Sequence, residues 1–257
     1  MPAIAQRAPQ EATRSYRPPR EVAELTCEAL FGPLSTLEAR YAPPCLWVAG
    51  DPGLAQATLR VSIVGSRKAS AEGRRRATKL AGQLANAGVV IVSGLAEGID
   101  DAAHRAAIDA GGRTIAVIGT TLERCYPPKQ ATLQTKIYQD HLLVSQFDPR
   151  QPTYPSGFVK RNRLMALMSQ ASVVVEAGDS SGTLSQAAET VRLGRPLFIM
   201  RSLAERRDLD WPARFIAKGA IVLDDVEQVI SALSVQQTIV RAIVEAVPLV
   251  LPGCEVA

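Results

Sequence analysis

The sequence predicts an α/β fold in which a mostly parallel sheet, mixed in direction at its edge, carries helices on both faces. Three observations predict it. From Arg60 onward, short β-branched runs alternate with segments of helical length, a pattern that implies right-handed βαβ units. Aromatic residues make up only 5% of a chain that is 47% hydrophobic, and the abundant small aliphatic residues suit helices packed on parallel strands. The 257 residues suffice for one large domain with modest extras, whose core needs no staples.

The elements follow in order. Residues 1–20 carry Pro2, Pro9, Pro18 and Pro19 with Arg7, Arg14, Arg17 and Arg20, and read as a flexible basic arm that buries little. Residues 21–58 read as a short helical and irregular extension. Val22, Leu25, Leu30, Leu34 and Leu37 suggest one or two short helices, and Pro43, Pro44, Gly50, Pro52 and Gly53 then punctuate a connector. The main domain spans 59–233, with strands expected at 61–64, 89–92, 114–118, 142–145, 172–175 and 196–200. A further run at 220–223 supplies an edge strand. Helices are expected at 71–87, 100–110, 130–140, 157–170, 182–193 and 225–233. The tail, 234–257, holds a helix-like stretch over 239–247 that ends before Pro248.

Composition narrows the function classes. The formal charge of +4 is a mild excess that permits a phosphate-bearing partner. Cys27, Cys45, Cys125 and Cys254 are scattered, and the histidines are only His104 and His141, so reduced thiols and no metal site are expected. There is no apolar run of about 18 residues and no leader pattern, which predicts a cytoplasmic protein without a membrane partner.

In open parallel sheets ligands bind at the carboxyl ends of strands, where helix N-termini present unpaired amides. Four of those ends are rich in small polar residues here: Gly65-Ser66-Arg67, Ser93-Gly94 through Asp100, Gly119-Thr120-Thr121, and Gly178 through Ser181-Gly182-Thr183. Glycine lets a backbone approach an anion, and hydroxyls can donate to phosphate oxygens. Geometry alone also explains glycine at any one such turn, whereas four on one edge suggest a phosphate-binding rim. Neither a Walker lysine motif nor a clean G-x-G-x-x-G opens any of these helices, which counts against ATP hydrolysis and dinucleotide binding. Arg67 and the run Lys160-Arg161-Asn162-Arg163 place cations where they can grip phosphates. Cations at a helix start oppose the macrodipole, so their placement there points to use. Arg74, Arg75, Arg76 and Lys79 read as a solvated helix face. His104 is expected to order its local turn rather than act as a base, and Asp100 and Asp101 to cap their helix. Leu164, Met165, Leu167 and Met168 fit the core better than an interface.

Val64-Gly65-Ser66-Arg67, Ser93-Gly94-Leu95-Ala96-Glu97-Gly98-Ile99-Asp100 and Ala103-His104 closely resemble the core signature of the DprA (Smf) family of DNA-processing proteins. Tyr126-Pro127, Arg161-Asn162-Arg163, Val174-Val175-Glu176-Ala177, Ser181-Gly182-Thr183-Leu184 and Gly194-Arg195 match in order as well, over roughly residues 42–225. The resemblance implies an extended Rossmann-like domain that dimerises, binds single-stranded DNA and assists loading of RecA recombinase in natural transformation, without catalysis and without a cofactor. It places Gly65, Ser66, Arg67, Phe158, Arg161 and Asn162 in the DNA pocket. Together with the rim residues Gly94, Lys160, Ser181, Gly182 and Thr183 they form the expected DNA and phosphate site. Phe158 offers a ring on which a base can stack, although plain core packing would equally use it.

The chain departs from the family pattern at Val159, at Gln146 and at Arg201-Ser202. Its tail is too short for the family's winged helix, which leaves RecA loading less supported than DNA binding and a defence or mobile-element role open. Two other classes fit the rim. A nucleotide-binding sensor would use it without chemistry. A LOG-type nucleoside monophosphate phosphoribohydrolase would need a placed acid, whereas Ser185 and Gln186 follow Thr183-Leu184.

Overall fold

The computed structural model describes residues 16–57, 59–150, 152, 154–179 and 181–246; the expected features at 1–15, Ser180, Cys254 and the end of the tail lie outside them. Six strands form the parallel body: β3 (Arg60–Gly65), β4 (Val90–Ser93), β5 (Thr114–Ile118), β6 (Leu142–Ser145), β7 (Ala171–Glu176) and β8 (Leu197–Met200). Nearly every residue in them is buried, as strands covered on both faces require. β9 (Ile221–Leu223) adds a parallel edge. At the other edge, β2 (Leu46–Gly50) runs antiparallel to β6, and β1 (Ala23–Leu25) antiparallel to β2.

The nine strands lie in the order β1-β2-β6-β5-β4-β3-β7-β8-β9. From β3 the chain first builds outward through β4, β5 and β6, then returns to place β7 on the other side of β3. The strand order therefore reverses between β3 and β7, and their carboxyl ends diverge into a crevice.

The helices are α1 (Cys27–Phe31), α2 (Thr36–Ala39), α3 (Ala71–Asn86), α4 (Ile99–Asp109), α5 (Ala131–Asp140), α6 (Ser156–Met168), α7 (Thr183–Arg192), α8 (Arg201–Ala204), α9 (Trp211–Ile216) and α10 (Val226–Ala246). One face of the sheet packs on α3, α4 and α10 through Ala77, Leu80, Leu84, Ala103, Val229 and Leu233. The other packs on α6 and α7, where Leu164, Met165, Leu167 and Met168 are core residues, none more than 1% exposed.

Four differences from the sequence reading have physical causes. Residues 21–58 are not a separate extension, because β1 and β2 complete the same sheet. The prolines and glycines around Leu46-Trp47-Val48-Ala49 obscure a strand that Gly50 ends at φ +104, where a Cβ would lie 2.1 Å from the His141 carbonyl oxygen. Residues 16–20 are not free: the Tyr16 hydroxyl donates to the Leu122 carbonyl at 2.8 Å, and the Tyr138 hydroxyl donates to that of Arg17 at 3.0 Å. The helices expected at 225–233 and 239–247 are one, and the short α8 and α9 carry Trp211 into the core.

His104 is fully buried and does not order the turn before its helix. The Thr114 hydroxyl donates to the Ile91 carbonyl at 2.7 Å and lies 2.7 Å from His104 Nδ1. His104 Nε2 has no hydrogen-bond partner among the described residues. Burial pushes the His104 pKa down to about 3, because protonation would strand a charge in the core.

A second buried group ties the N-terminal segment to the body. Ser35 and Glu38 form a capping box at the start of α2. Arg195 pairs with Glu38 and donates to the carbonyls of Ala166 and Leu167 at 2.6 and 2.7 Å, and to that of Ser169. These acceptors lie at the end of α6, where helix carbonyls run out of backbone donors, and of them Ala166 also accepts from Ser169 N.

Two predictions follow from these buried groups. Arg195→Met should cost about 1–2 kcal/mol in urea unfolding, since it removes the donor shared by Glu38 and the α6 carbonyls; a loss below about 0.5 kcal/mol would make the pair dispensable. For His104 the unfolded chain binds the proton first, near the ordinary 6.5. The stability it contributes is present above that value and is lost as the pH falls toward 3. His104→Leu should flatten the fall in urea midpoint between neutral pH and mild acid, and equal slopes would assign the acid sensitivity to other groups.

Candidate functional site

The crevice between β3 and β7 holds a cavity of about 520 Å³. Its rim is the turn after β3, Gly65-Ser66-Arg67-Lys68, facing Gly178 and Ser181-Gly182-Thr183 at the start of α7. The first turn of α6 contributes Phe158 and Val159, and Asp100, Arg161, Asn162 and Gln186 form the floor.

Glu176, the last residue of β7, holds the turn in place. Its carbonyl accepts from Ser66 N at 2.6 Å, and its carboxylate accepts from Ser70 N at 2.9 Å and Ser70 Oγ at 2.6 Å. Ser70 in turn caps α3 by accepting from Gly73 N. From below, Ile99 N donates to the Ser66 carbonyl at 3.3 Å. Gly98, at φ +81, allows this approach, since a Cβ there would lie 2.2 Å from that oxygen.

The floor is polar and already engaged. Asp100 does not cap α4: its Oδ2 accepts from Gly94 N at 3.2 Å and Ala96 N at 3.3 Å, which folds the β4–α4 loop. Burial pushes the Asp100 carboxyl up, while the Arg161 charge and the amides of Ala96 and Gly94 pull it down. Arg161 is only 5% exposed, and its Nη1 donates to the Val117 carbonyl at 3.1 Å. Its Nε has no partner among the described residues. Burial disfavours its charge and Asp100 opposes that effect. Asn162 Nδ2 donates to the Gly182 carbonyl at 3.0 Å and to Ser185 Oγ at 3.2 Å, so it positions the start of α7.

Of the residues expected from sequence, Gly65, Ser66, Arg67, Phe158, Arg161, Asn162, Ser181, Gly182 and Thr183 line this one cavity. Gly94 does not. It is a packing glycine, for a Cβ there would lie 1.5 Å from Arg161 Nη1. Lys160 is exposed and outside the lining. Nor do the cations of α6 open their helix, because it begins at Ser156. Arg163 pairs with Glu189 and lies 5.2 Å from the Tyr41 ring, away from the cavity. The Arg161 guanidinium is part of the floor rather than an open phosphate grip. The hydroxyls of Ser181 and Thr183 are bonded to each other at 2.9 Å, and Thr183 N donates to Ser181 Oγ; an anion there would have to replace those bonds. Sequence reasoning missed Lys68, Asp100 and Gln186. Lys68 carried a signal as the second cation of its turn, and Asp100 as the end of the Ser93–Asp100 turn, where it read as a helix cap.

The open chemistry sits at the mouth. Arg67 and Lys68 are exposed, and the Arg67 guanidinium lies 5.1 Å from the centre of the Phe158 ring. The Phe158 ring abuts the end of β5, where a Cβ on Gly119 would lie 2.6 Å from it. The cation face of α3 is a solvated one: Arg75 and Arg76 pair with Glu72, and Arg74 donates to the Ala69 carbonyl. No cluster of potential metal ligands occurs among the described residues, and no helix among them is long and apolar enough to cross a membrane.

Residues 28–234 match the model of the family described as DNA recombination-mediator protein A. The DNA processing protein DprA of Streptococcus pneumoniae is 40% identical over 166 residues, 65% of this chain and 58% of that protein. DprA of Bacillus subtilis is 32% identical over 198 residues, 77% of this chain and 67% of its own length. The chain thus spans about three fifths of the first relative and two thirds of the second. Among solved structures, DNA processing protein A of Helicobacter pylori, described for its single-stranded DNA binding mode, superposes with a TM-score of 0.71 at 25% identity. That match covers 84% of this chain and 97% of the other.

The packing role of Gly94 gives a third prediction. Gly94→Ala should displace the Arg161 guanidinium from the Val117 carbonyl and cost about 3 kcal/mol in thermal or urea unfolding. A neutral effect would show that the floor can shift without loss.

Proposed function

Because the chain belongs to the DprA family of DNA recombination mediators, we propose that the cavity at the strand-order reversal binds single-stranded DNA. The observation that carries this reading is the pairing of Phe158 with Arg67 at the cavity mouth. A ring on which any base can stack, next to exposed cations that meet the backbone phosphates, is what sequence-tolerant binding of a single strand requires. An entering base would take the place of the Arg67 guanidinium on Phe158 and free that guanidinium for a phosphate. The exposed Lys68 adds a second cation to the same turn.

By the same reading the protein acts in the cytoplasm as a homodimer that helps load RecA, and it performs no catalysis of its own. The floor supports the last point. Asp100 is the carboxylate that lines the cavity among the described residues, and its Oδ2 is spent on two amides, a poor position for a general acid. The cavity volume also suits a single nucleotide, which keeps a mononucleotide sensor as the competing reading.

The test is fluorescence anisotropy with a labelled dT oligomer of about 20 nucleotides, competed separately by duplex DNA and by AMP. Binding at about micromolar affinity that neither competitor displaces supports the single-strand reading; displacement by AMP with little oligomer binding replaces it with the sensor. Arg67→Glu should weaken oligomer binding by about tenfold or more with thermal stability unchanged. Equal binding by that variant and the wild type would remove the mouth from the site. Affinity should fall with salt at a slope of about 0.7 per phosphate contact. Arg161→Glu would bury an unpaired carboxylate instead, so it should unfold the domain and cannot serve as a binding variant.

A further inference from the structure

We propose that Tyr126 is a second nucleobase-stacking residue, forming with Phe158 a two-base corner at the cavity mouth. The inference rests on the single-strand reading of the cavity and extends it beyond the cavity wall, since Tyr126 lies outside the lining. Its ring centre stands 5.4 Å from that of Phe158, with the planes inclined at 51°. Tyr126 is 53% exposed, so part of its ring surface is open to a ligand.

The geometry divides the labour between the rings. Phe158 is partly buried and carries the Arg67 guanidinium at 5.1 Å. Tyr126 continues the aromatic surface outward, from the loop between β5 and α5. Two rings inclined to each other cannot share one base in a stacked geometry, but they can receive two neighbouring bases splayed apart. A single strand permits that splaying because no partner strand holds its bases parallel. The occupant is therefore the next nucleotide of the strand whose first base enters the cavity. Arg67, beside Phe158, is placed to meet the phosphate that joins the two.

A packing role would hold Phe158 by apolar contact alone, and leucine could fill it. A stacking role requires a ring. The test compares wild type, Tyr126→Phe and Tyr126→Leu for binding to a dT oligomer of about 20 nucleotides and to an abasic oligomer of the same length. Tyr126→Phe should bind dT like the wild type. Tyr126→Leu should lose about tenfold on dT and less than about twofold on the abasic strand, because only the base is missing from both sides of the cycle. Unchanged dT binding by Tyr126→Leu overturns the proposal while leaving the cavity reading intact, and so does an equal loss on both oligomers. If the wild type binds neither, the single-strand reading falls and this proposal falls with it.

Discussion

The reversal of strand order between β3 and β7 is the constraint on which the rest of the molecule depends. Neighbouring parallel strands whose connections leave in opposite directions cannot both be covered at their carboxyl ends, so a crevice opens there. Left alone, the crevice would expose backbone polar groups from two loops. Glu176 answers for two in the β3 turn: its carbonyl takes the Ser66 amide, and its carboxylate takes the amide and hydroxyl of Ser70. One residue at the end of β7 thus sets the height of the β3 turn and the start of α3. Glycine at 98 lets α4 come up beneath that turn. The cavity is a consequence of sheet topology, and its shape is a consequence of one carboxylate.

The floor follows the same logic of satisfied polar groups. A buried guanidinium is costly unless it is paired or hydrogen-bonded, and Arg161 finds the Val117 carbonyl and the field of Asp100. Asp100 in turn is held by two amides of the loop that Gly94 begins. Asn162 then fixes the opening of α7. These contacts make the floor rigid and leave little of it free to act on a ligand. The side chains still open to solvent are gathered at the mouth.

Most of the sheet was legible in the sequence, because each parallel strand is a β-branched run covered on both sides and nothing else in the chain has that pattern. β1 and β2 were not. They lie at an edge and are short; β1 falls where Val22 and Leu25 suggest a helix, and the prolines and glycines around β2 read as a connector. The continuity of α10 was hidden by the mainly polar stretch Ser234 to Thr238, which holds no helix breaker. At the site, spacing identified nine of the lining residues because glycine turns at strand ends mark where ligands can approach. What spacing could not tell is which side chains remain available. Arg67 and Arg161 look alike as letters, yet one is exposed and the other is 5% exposed, and only tertiary packing separates them. Gly94 likewise reads as a phosphate glycine until a guanidinium is found lying on it.

That separation bears on what kind of recognition the proposed site can support. Base discrimination needs donors and acceptors aimed at base edges. Here Asp100 is committed to amides of its own loop, Asn162 to the start of α7, and the hydroxyls of Ser181 and Thr183 to each other. What the mouth offers instead is a ring, a guanidinium that rests on it, and an ammonium. Every base has a face that can stack, and every nucleotide has a phosphate, so on the proposed reading such a surface would tell strands from mononucleotides by length and not by sequence. Arg67 makes the exchange favourable in a further way. The guanidinium lies over the Phe158 ring, and a base entering as proposed would leave the same side chain a phosphate to meet. A site built to accept any single strand is well served by a cation that shields the ring in the absence of ligand and turns to the backbone in its presence.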